Sequence, residues 1–178
     1  EIKMQLLSFK EYVSAYPDNT NLPALYIKYL QNSSFPGTLE LVKVKDKRAY
    51  LEGSYNTILI KNIITRKKIS DISMLQSIID FIFDNIGNIS SSTKIANSMT
   101  SSGRKISVPT VESYLSALMD SFIIYKVGRY DVKGKQYLAT GSKYYVADIG
   151  LRYFLLGTRH TDNGHILENI VYLELLRR

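Results

Sequence analysis

Residues 107–150 read SVPTVESYLSALMDSFIIYKVGRYDVKGKQYLATGSKYYVADIG, and this stretch decides the fold. Its first part predicts a helix from Ser107 to about Ser121. Ser107 can cap the free N–H groups of the first turn, and Pro109 falls where a missing N–H costs nothing. Apolar side chains then recur at steps of three and four residues and predict one buried helix face: Val111, Tyr114, Leu115, Leu118 and Phe122.

The second part of this stretch predicts a β-hairpin. Its two strands are expected from Phe122 to Val132 and from Tyr137 to Asp148, because β-branched and aromatic residues favour strands. Lys133-Gly134-Lys135 lies near the predicted tip.

Two more helices are predicted before this stretch. Apolar residues between Ile72 and Ile86 have helical spacing, and Gly87 stands where a left-handed C-cap belongs. The hydroxyl residues at 90–93 offer caps for a shorter helix. Three helices followed by a hairpin make the plan of a winged helix, which we predict over residues 71–148.

Helices are also predicted in the first third of the chain. Ser8 and Glu11 have the spacing of a capping box, and Asn21 can cap the next helix. A third helix is expected from Asp46 to about Lys61, weakened by about 1 kcal/mol by Gly53 relative to alanine. Its inward side chains are expected to be Tyr50, Leu51, Ile58 and Leu59.

The remaining segments complete the predicted fold class. Arg66-Lys67-Lys68 is interpreted as a solvated basic linker, in preference to a binding patch. A final helix is expected from Gly164 to Arg178, with an apolar side formed by Ile166, Ile170, Leu173 and Leu176. The chain is therefore predicted to be mainly α with a small β-hairpin.

Composition excludes several classes of protein. The 178 residues are 45% hydrophobic, which suffices for a sizeable core, and they include no cysteine and two histidines. Disulfides and thiolate metal sites are thus excluded, and a multi-histidine metal site is not expected. No apolar run approaches the ~20 residues that span a bilayer, so we expect no membrane partner. From the lack of cysteine we expect a cytoplasmic location.

The positive charge is concentrated in the predicted winged helix. Between Lys94 and Lys143 there are eight basic and three acidic residues, which account for five of the seven net positive charges. Such charge favours nucleic-acid contact, although a solvated surface explains it equally well. The candidate DNA-binding residues are Lys94, Arg104, Lys105, Arg129, Lys133 and Lys135.

The helix that would enter the DNA groove is poor in base-reading side chains. Its outward residues are expected to be Thr110, Ser113, Ser116 and Asp120, with Glu112 nearby. None of them can make the bidentate contacts that arginine, lysine, asparagine and glutamine make with base edges. The sequence therefore predicts, at most, weak and sequence-indifferent DNA binding through phosphates.

Five short motifs are distributed along nearly the whole chain. They are Leu7-Ser8-Phe9-Lys10-Glu11-Tyr12, Ser33-Ser34-Phe35-Pro36, the helical stretch Tyr50-Leu51-Glu52-Gly53-Ser54-Tyr55, Lys143-Tyr144-Tyr145-Val146-Ala147-Asp148-Ile149-Gly150-Leu151, and the segment from Gly164 to Leu175 that contains Glu168-Asn169. Together they resemble the prokaryotic ATPases of the AAA superfamily that carry a C-terminal PD-(D/E)XK nuclease-like domain. In that family a Gly-Gly-Phe-Pro loop occurs where this chain has Ser33-Ser34-Phe35-Pro36.

The resemblance implies three segments. Residues 1–69 would be the end of the ATPase core and a helical lid-like segment, residues 70–150 the winged helix, and residues 151–178 the start of the nuclease-like domain. ATP and Mg²⁺ are expected for the parent, whose phosphate-binding loop would lie upstream of Glu1. Since this chain has no Gly-x-x-x-x-Gly-Lys-Ser/Thr loop, we expect it to be non-catalytic alone and to hold no cofactor.

Two acidic residues need a separate interpretation. Glu168 matches an acid of the nuclease-like domain, but a structural role in an interface is favoured over catalysis. Asp148 is interpreted as a helix cap before Ile149. The expected partners are DNA, bound weakly, and other protein subunits. A free-standing winged-helix DNA-binding protein and a protein-interaction adaptor remain as alternatives.

Overall fold

A computed structural model describes residues 4–67, 69–131, 136–157 and 162–178. Helix α1 (Phe9–Ser14) begins with the predicted capping box, in which the Glu11 N–H donates to Ser8 Oγ at 3.1 Å and the Ser8 N–H donates to Glu11 Oε2 at 2.7 Å. Helix α2 (Leu22–Asn32) begins at the predicted cap, where Asn21 Oδ1 accepts from the Ala24 N–H at 3.1 Å. A loop and a 3₁₀ turn (Pro36–Thr38) follow.

The next helical stretch is longer than predicted. Helix α3 (Val44–Thr57) continues as a π-helical segment (Ile58–Ile64) and then as the single turn α4 (Thr65–Lys67), so the predicted basic turn at residues 66–67 is helical. Its buried side chains, among those that the structure describes, fall at every fourth position: Leu51, Tyr55, Leu59 and Ile63. A straight α-helix has 3.6 residues per turn and would rotate such a stripe off the core, whereas the wider π turns keep it inward.

The prediction that Tyr50 of this helix faces inward is wrong. Tyr50 is 38% exposed, because the buried stripe passes through its neighbour Leu51 instead. The Tyr50 ring lies over the preceding turn, 6.4 Å from the Phe35 ring. A Cβ on Gly37 would approach that ring to 2.7 Å, so the Tyr50 side chain would have to shift if a larger residue replaced the glycine.

The central part is a winged helix. Helix α5 (Ile72–Asp84), strand β1 (Ile89–Ser90), helix α6 (Ser92–Ser101) and helix α7 (Val108–Asp120) precede the hairpin of β2 (Ile124–Asp131) and β3 (Gln136–Val146). The sheet is antiparallel with order β1-β3-β2. The predicted caps of α6 and α7 are confirmed at Ser91 and Ser107. Strand β1 was not predicted, since two residues carry no periodicity; the predicted tip, Lys133 to Lys135, lies outside the described residues.

The turn between α7 and β2 differs from the prediction. Phe122 was assigned to the buried face of the helix, but it is 51% exposed and has φ of +56°. The helix ends at Asp120, and the left-handed backbone at Phe122 turns its ring outward while Ile123 enters the core. The other four predicted members of that helix face are buried: Val111, Tyr114, Leu115 and Leu118.

Two helices complete the described fold. Helix α8 (Ile149–Leu156) starts at the predicted Asp148 cap, and helix α9 (Asn163–Leu175) starts at Asp162, just before the predicted Gly164. Most of the buried apolar residues from Tyr12 in α1 to Ile170 in α9 belong to one contiguous cluster, which leaves out Leu25, Leu51 and Tyr145. Helix α8 packs against both α2 and α5 and thereby links the first third of the chain to the winged helix.

Candidate functional site

The exposed face of α7 carries no base-reading side chain among the described residues of this helix. Glu112, Ser113 and Asp120 are exposed, and Thr110 and Ser116 are half-buried. Thr110 is held locally, with its Oγ1 2.7 Å from Ser107 Oγ. The Asp120 carboxylate pairs with Lys67 Nζ at 2.6 Å, which ties the end of α7 to α4. The carboxylates of Glu112 and Asp120 would both repel a phosphate backbone.

Arg104, one of the candidate DNA-binding residues, is engaged inside the protein. Its guanidinium donates to the Ser73 carbonyl at 2.8 Å, to Ser73 Oγ at 2.7 Å and to Ser77 Oγ. These bonds join the turn after α6 to α5. The side chain therefore stabilises the winged helix and has few donors left for a phosphate.

The other candidate cations lie on separate elements. Lys94 on α6, Lys105 in the turn before α7 and Arg129 on β2 are all exposed. No hydrogen bond or ion pair joins these three within the described ranges; Lys94 Nζ lies 3.4 Å from the Ile89 carbonyl. Lys133 and Lys135 lie outside the described residues. Lys126 on β2 was not predicted as a candidate, but it is also exposed.

Glu168 lies at the centre of a polar cluster between β3 and α9. Its Oε1 accepts from Lys143 Nζ at 2.6 Å and from the Tyr145 hydroxyl at 2.5 Å, and its Oε2 lies 3.6 Å from His165 Nδ1. Burial alone would raise the pKa of Glu168, but these hydrogen bonds outweigh burial and hold the pKa below its ordinary value of 4.5. Burial is the main cause that raises the pKa of the Tyr145 hydroxyl, and the hydrogen bond to Glu168 raises it further.

Asn169 joins the same two elements from the inside. Its Oδ1 accepts from the Val146 N–H at 2.8 Å, and its Nδ2 donates to the Val146 carbonyl at 2.9 Å. The side chain is completely buried, and its amide pairs with both backbone groups of Val146 as a neighbouring strand would. Glu168-Asn169 thus fixes α9 against the hairpin. Within the described ranges, no three His, Asp or Glu side chains form a group that could hold a metal ion.

Asp148 joins the winged helix to the first third of the chain. Its Oδ1 caps α8 by accepting from the Leu151 N–H at 2.5 Å, as predicted. Its Oδ2 accepts from the Ser34 N–H at 2.7 Å and from Ser34 Oγ at 2.5 Å, a long-range contact that was not predicted. The loop lies so close that a Cβ on Gly150 would stand 2.2 Å from Ser33 Cα.

A buried arginine also connects α8 to α5 of the winged helix. Arg152 is 1% exposed, and its Nε donates to the Phe83 carbonyl at the end of α5 at 2.7 Å. Two of the sequence motifs, those around Ser33 and Asp148, meet in space through the Asp148–Ser34 hydrogen bonds. Their shared resemblance to one family was the available signal, but it gave no indication that they touch.

The helices and the β1-β3-β2 sheet define a protein of the winged-helix class. Residues 23–162 match the profile described as "Domain of unknown function (DUF8612)", and the chain belongs to this family. No helix within the described residues is long and apolar enough to cross a membrane.

Two longer proteins resemble the chain over all or nearly all of its length. An uncharacterized protein of Haemophilus influenzae is 36% identical over 181 residues, which cover 100% of this chain and 45% of that protein. The uncharacterized protein MJ1544 of Methanocaldococcus jannaschii is 29% identical over 178 residues, which cover 98% of this chain and 40% of that protein. The chain thus spans less than half the length of these relatives. No solved structure matches it.

Proposed function

We propose that this chain is a non-catalytic region of a AAA-superfamily ATPase, in which the winged helix couples the segments on its two sides. The observation that carries the proposal is the Asp148 joint, where one buried carboxylate binds Ser34 of the first segment and caps α8 behind the hairpin. Asn169 makes the corresponding link to α9. Both links use buried, fully paired polar groups, which favour one fixed arrangement.

The proposed parent supplies the nucleotide chemistry. The resemblance to AAA-superfamily ATPases lies in the residues that make these links, and the two relatives are more than twice as long as the region they share with this chain. In the parent, a phosphate-binding loop upstream would hold ATP and Mg²⁺, and the start of a nuclease-like domain would include α9. The proposal includes a cytoplasmic location, where ATP and DNA are both available.

The test compares this chain with the full-length Haemophilus influenzae relative. Phosphate release from Mg-ATP should be measured for both proteins at equal concentration. We expect turnover from the relative and none from this chain. A full-length relative that neither binds nor hydrolyses ATP contradicts the assignment to an ATPase, and turnover by this chain that a point substitution abolishes contradicts its non-catalytic role.

A second candidate function is weak DNA contact by the winged helix. It is favoured by the exposure of Lys94, Lys105 and Arg129 and limited by the acidic groups on α7. Binding of this kind depends steeply on salt and is indifferent to sequence, because phosphates carry no sequence information.

Fluorescence anisotropy with unrelated duplexes at several salt concentrations tests this candidate. Lys94→Gln/Lys105→Gln should lower the slope of log K against log salt by about 0.9 for each phosphate contact removed. The matched control is Lys10→Gln/Lys28→Gln, which removes two exposed lysines from α1 and α2. Tight, salt-resistant binding to one sequence would favour a free-standing DNA-binding protein, and absence of binding at low salt would favour an adaptor for other protein subunits.

A further inference from the structure

A groove of about 600 Å³ lies between the end of α2, the start of α3 and the end of α8. The apolar part of its lining is formed by Val44, Leu51, Tyr153, Phe154, Leu155 and Leu156. The lining side chains of α8 are half-buried, and Val44 is 75% exposed and lies at the rim. Ligand sites usually have volumes between about 300 and 1,000 Å³ and mostly apolar linings, so this groove is large enough for several side chains.

Two cations and no acidic residue line the groove. Lys47 and Arg48 share one side of α3 with Val44, because residues three and four positions apart lie on one helix face. Arg48 Cζ lies 5.8 Å from the centre of the Phe154 ring of α8, so its charge is held against the apolar lining. Within the described residues, neither Lys47 nor Arg48 forms an ion pair. Both charges are therefore free to meet an anionic partner.

Two further lysines raise the positive charge on this side of the groove. Lys43 is the N-cap residue of α3 and makes no side-chain cap, Lys45 follows in the first turn, and Asp46 is the acidic residue of that turn. Basic residues are unfavourable at a helix N-terminus, so these lysines do not serve the helix itself. Departures from such local rules are expected at functional sites. They add to the evidence from the groove and agree with an acidic partner.

The apolar lining and the positive charge together select the kind of partner. Large apolar side chains can fill the space between α3 and α8, and carboxylates beside them can pair with Lys47 and Arg48. We propose that this groove binds an acidic segment of a partner protein, with one or two large apolar side chains seated between Leu51 and Leu155. The groove is separate from the Asp148 joint, and the inference does not depend on the coupling function proposed above.

Other occupants match only part of this lining. A DNA backbone would pair with the two cations but has no apolar side chain to fill the groove. A bilayer surface receives apolar side chains from a protein, whereas this site is a concavity that receives them. A second copy of this chain carries the same net charge of +7 and would be repelled.

The experiment measures fluorescence anisotropy of a labelled peptide, Glu-Glu-Leu-Phe-Glu-Asp-Leu, with the complete 178-residue chain. The groove is smaller than a standard protein interface, so we expect a dissociation constant between about 1 μM and 1 mM. A second peptide has glutamine and asparagine in place of the acids and should bind roughly three- to tenfold more weakly. A third has serine in place of leucine and phenylalanine and should lose more than roughly tenfold, because it buries no apolar side chain.

The first variant removes the charges that line the groove. Lys47→Gln/Arg48→Gln should weaken binding of the acidic peptide roughly three- to tenfold, because exposed ion pairs contribute modestly. The matched control is Lys10→Gln/Lys28→Gln, which lowers the net charge equally at exposed positions of α1 and α2 outside the groove. The control separates binding in the groove from attraction to the net charge of the chain.

The second variant adds an acid at the rim and keeps the fold. Val44→Glu places a carboxylate at the first residue of α3, where a helix N-terminus favours it, so stability should not fall. Binding of the acidic peptide should weaken roughly threefold or more through repulsion. Ile72→Glu is the matched control, because Ile72 is the first residue of α5 and is 53% exposed outside the groove. Thermal midpoints verify that both variants have folded.

Several results would overturn the proposal. No binding at about 1 mM peptide, or equal binding of all three peptides, would exclude an acidic apolar segment as the occupant. Equal affinities of Lys47→Gln/Arg48→Gln and its control would show that only net charge attracts the peptide. A DNA duplex whose binding is lost in Lys47→Gln/Arg48→Gln and kept in the control would assign the surface to nucleic acid. A dimer in sedimentation that dissociates in Val44→Glu would assign it to a second copy.

Discussion

At the scale of single residues, position along the chain gives little indication of what a side chain holds together. Asp148 reaches across 114 residues to Ser34, and Asn169 pairs with both backbone groups of Val146. Both side chains are at most 2% exposed, so each hydrogen bond they lose leaves a buried group without a partner.

Asp148→Asn should destabilise the chain by about 2–4 kcal/mol, because an amide offers one acceptor oxygen where the carboxylate offers two. Its NH₂ would face donors, either at Ser34 or at the Leu151 N–H. Urea unfolding followed by circular dichroism measures the loss. Asp18→Asn changes an exposed carboxylate and should be neutral; equal stability of the two variants would contradict the buried joint.

Glu168→Gln should make stability depend less on pH. The folded-state pKa of Glu168 is lowered, so its ionised form stabilises the fold above pH 4.5, and this contribution disappears as pH falls through the lowered pKa. The side chain is 36% exposed, so we expect only about 0.5–1 kcal/mol at pH 7.

Thermal unfolding at several pH values tests this expectation. The midpoint of Glu168→Gln should lie below that of the parent chain at pH 7, and the two should converge as the pH falls through the lowered pKa of Glu168. Glu52→Gln, at an exposed position on α3, is the control. A gap between parent and Glu168→Gln that persists into acid would show that packing, rather than charge, is what the substitution removes.

At the scale of elements, predictions from local patterns were confirmed where the cause is local. The caps at Ser8, Asn21, Ser91 and Ser107 are present because each side chain and its N–H partner lie three residues apart. The hairpin was likewise predictable from its β-branched and aromatic residues.

Features set by distant packing were not predictable. The π-helical segment coincides with buried positions that recur every four residues, and the Tyr55 hydroxyl of the preceding α3 donates to Gln76 Oε1 of α5 at 2.9 Å. Strand β1 is too short for any pattern and is defined by its pairing with β3. The internal use of Arg104 depends on α5 lying beside the turn after α6. The sequence shows only the charge of Arg104 and not its neighbours, so Arg104 was predicted to bind DNA.

Two glycines in helices should respond to alanine in opposite directions. Gly53→Ala should stabilise α3 by about 0.5–1 kcal/mol, because no atom lies within 4 Å of the new Cβ and helix propensity improves. Gly150→Ala should destabilise the chain, since its Cβ would meet the Ser33 backbone at 2.2 Å. Unfolding midpoints in urea measure both, and similar shifts for the two variants would contradict the close approach of the loop.

At the scale of the whole molecule, one contiguous core is shared by elements from the first third of the chain to α9. The contiguous buried cluster draws on α1, α3, the winged helix, α8 and α9. The three segments predicted from the sequence, 1–69, 70–150 and 151–178, all contribute to it. Parts that share a core lose their packing together, so their stabilities should be coupled.

Urea unfolding of the chain should accordingly be a single transition. Far-UV circular dichroism follows the helices, and fluorescence follows the 14 tyrosines, with no tryptophan to mask them. The two curves should superimpose with one midpoint. Separate midpoints, or a plateau between them, would mean that the segments unfold independently and that the Asp148 joint contributes little.

The contact between Asp148 and Ser34 also determines when this part of the fold can form during synthesis. Ser34 is made first and its partner comes 114 residues later, a delay of roughly 6–23 s at synthesis rates of about 5–20 residues per second. The loop at Ser33–Ser34 must stay hydrated during that time, with α1 and α2 lacking the surface on which they will rest. The loop at Ser33–Ser34 is therefore translated well before it can mature, and during that interval the nascent chain is open to chaperones and proteases.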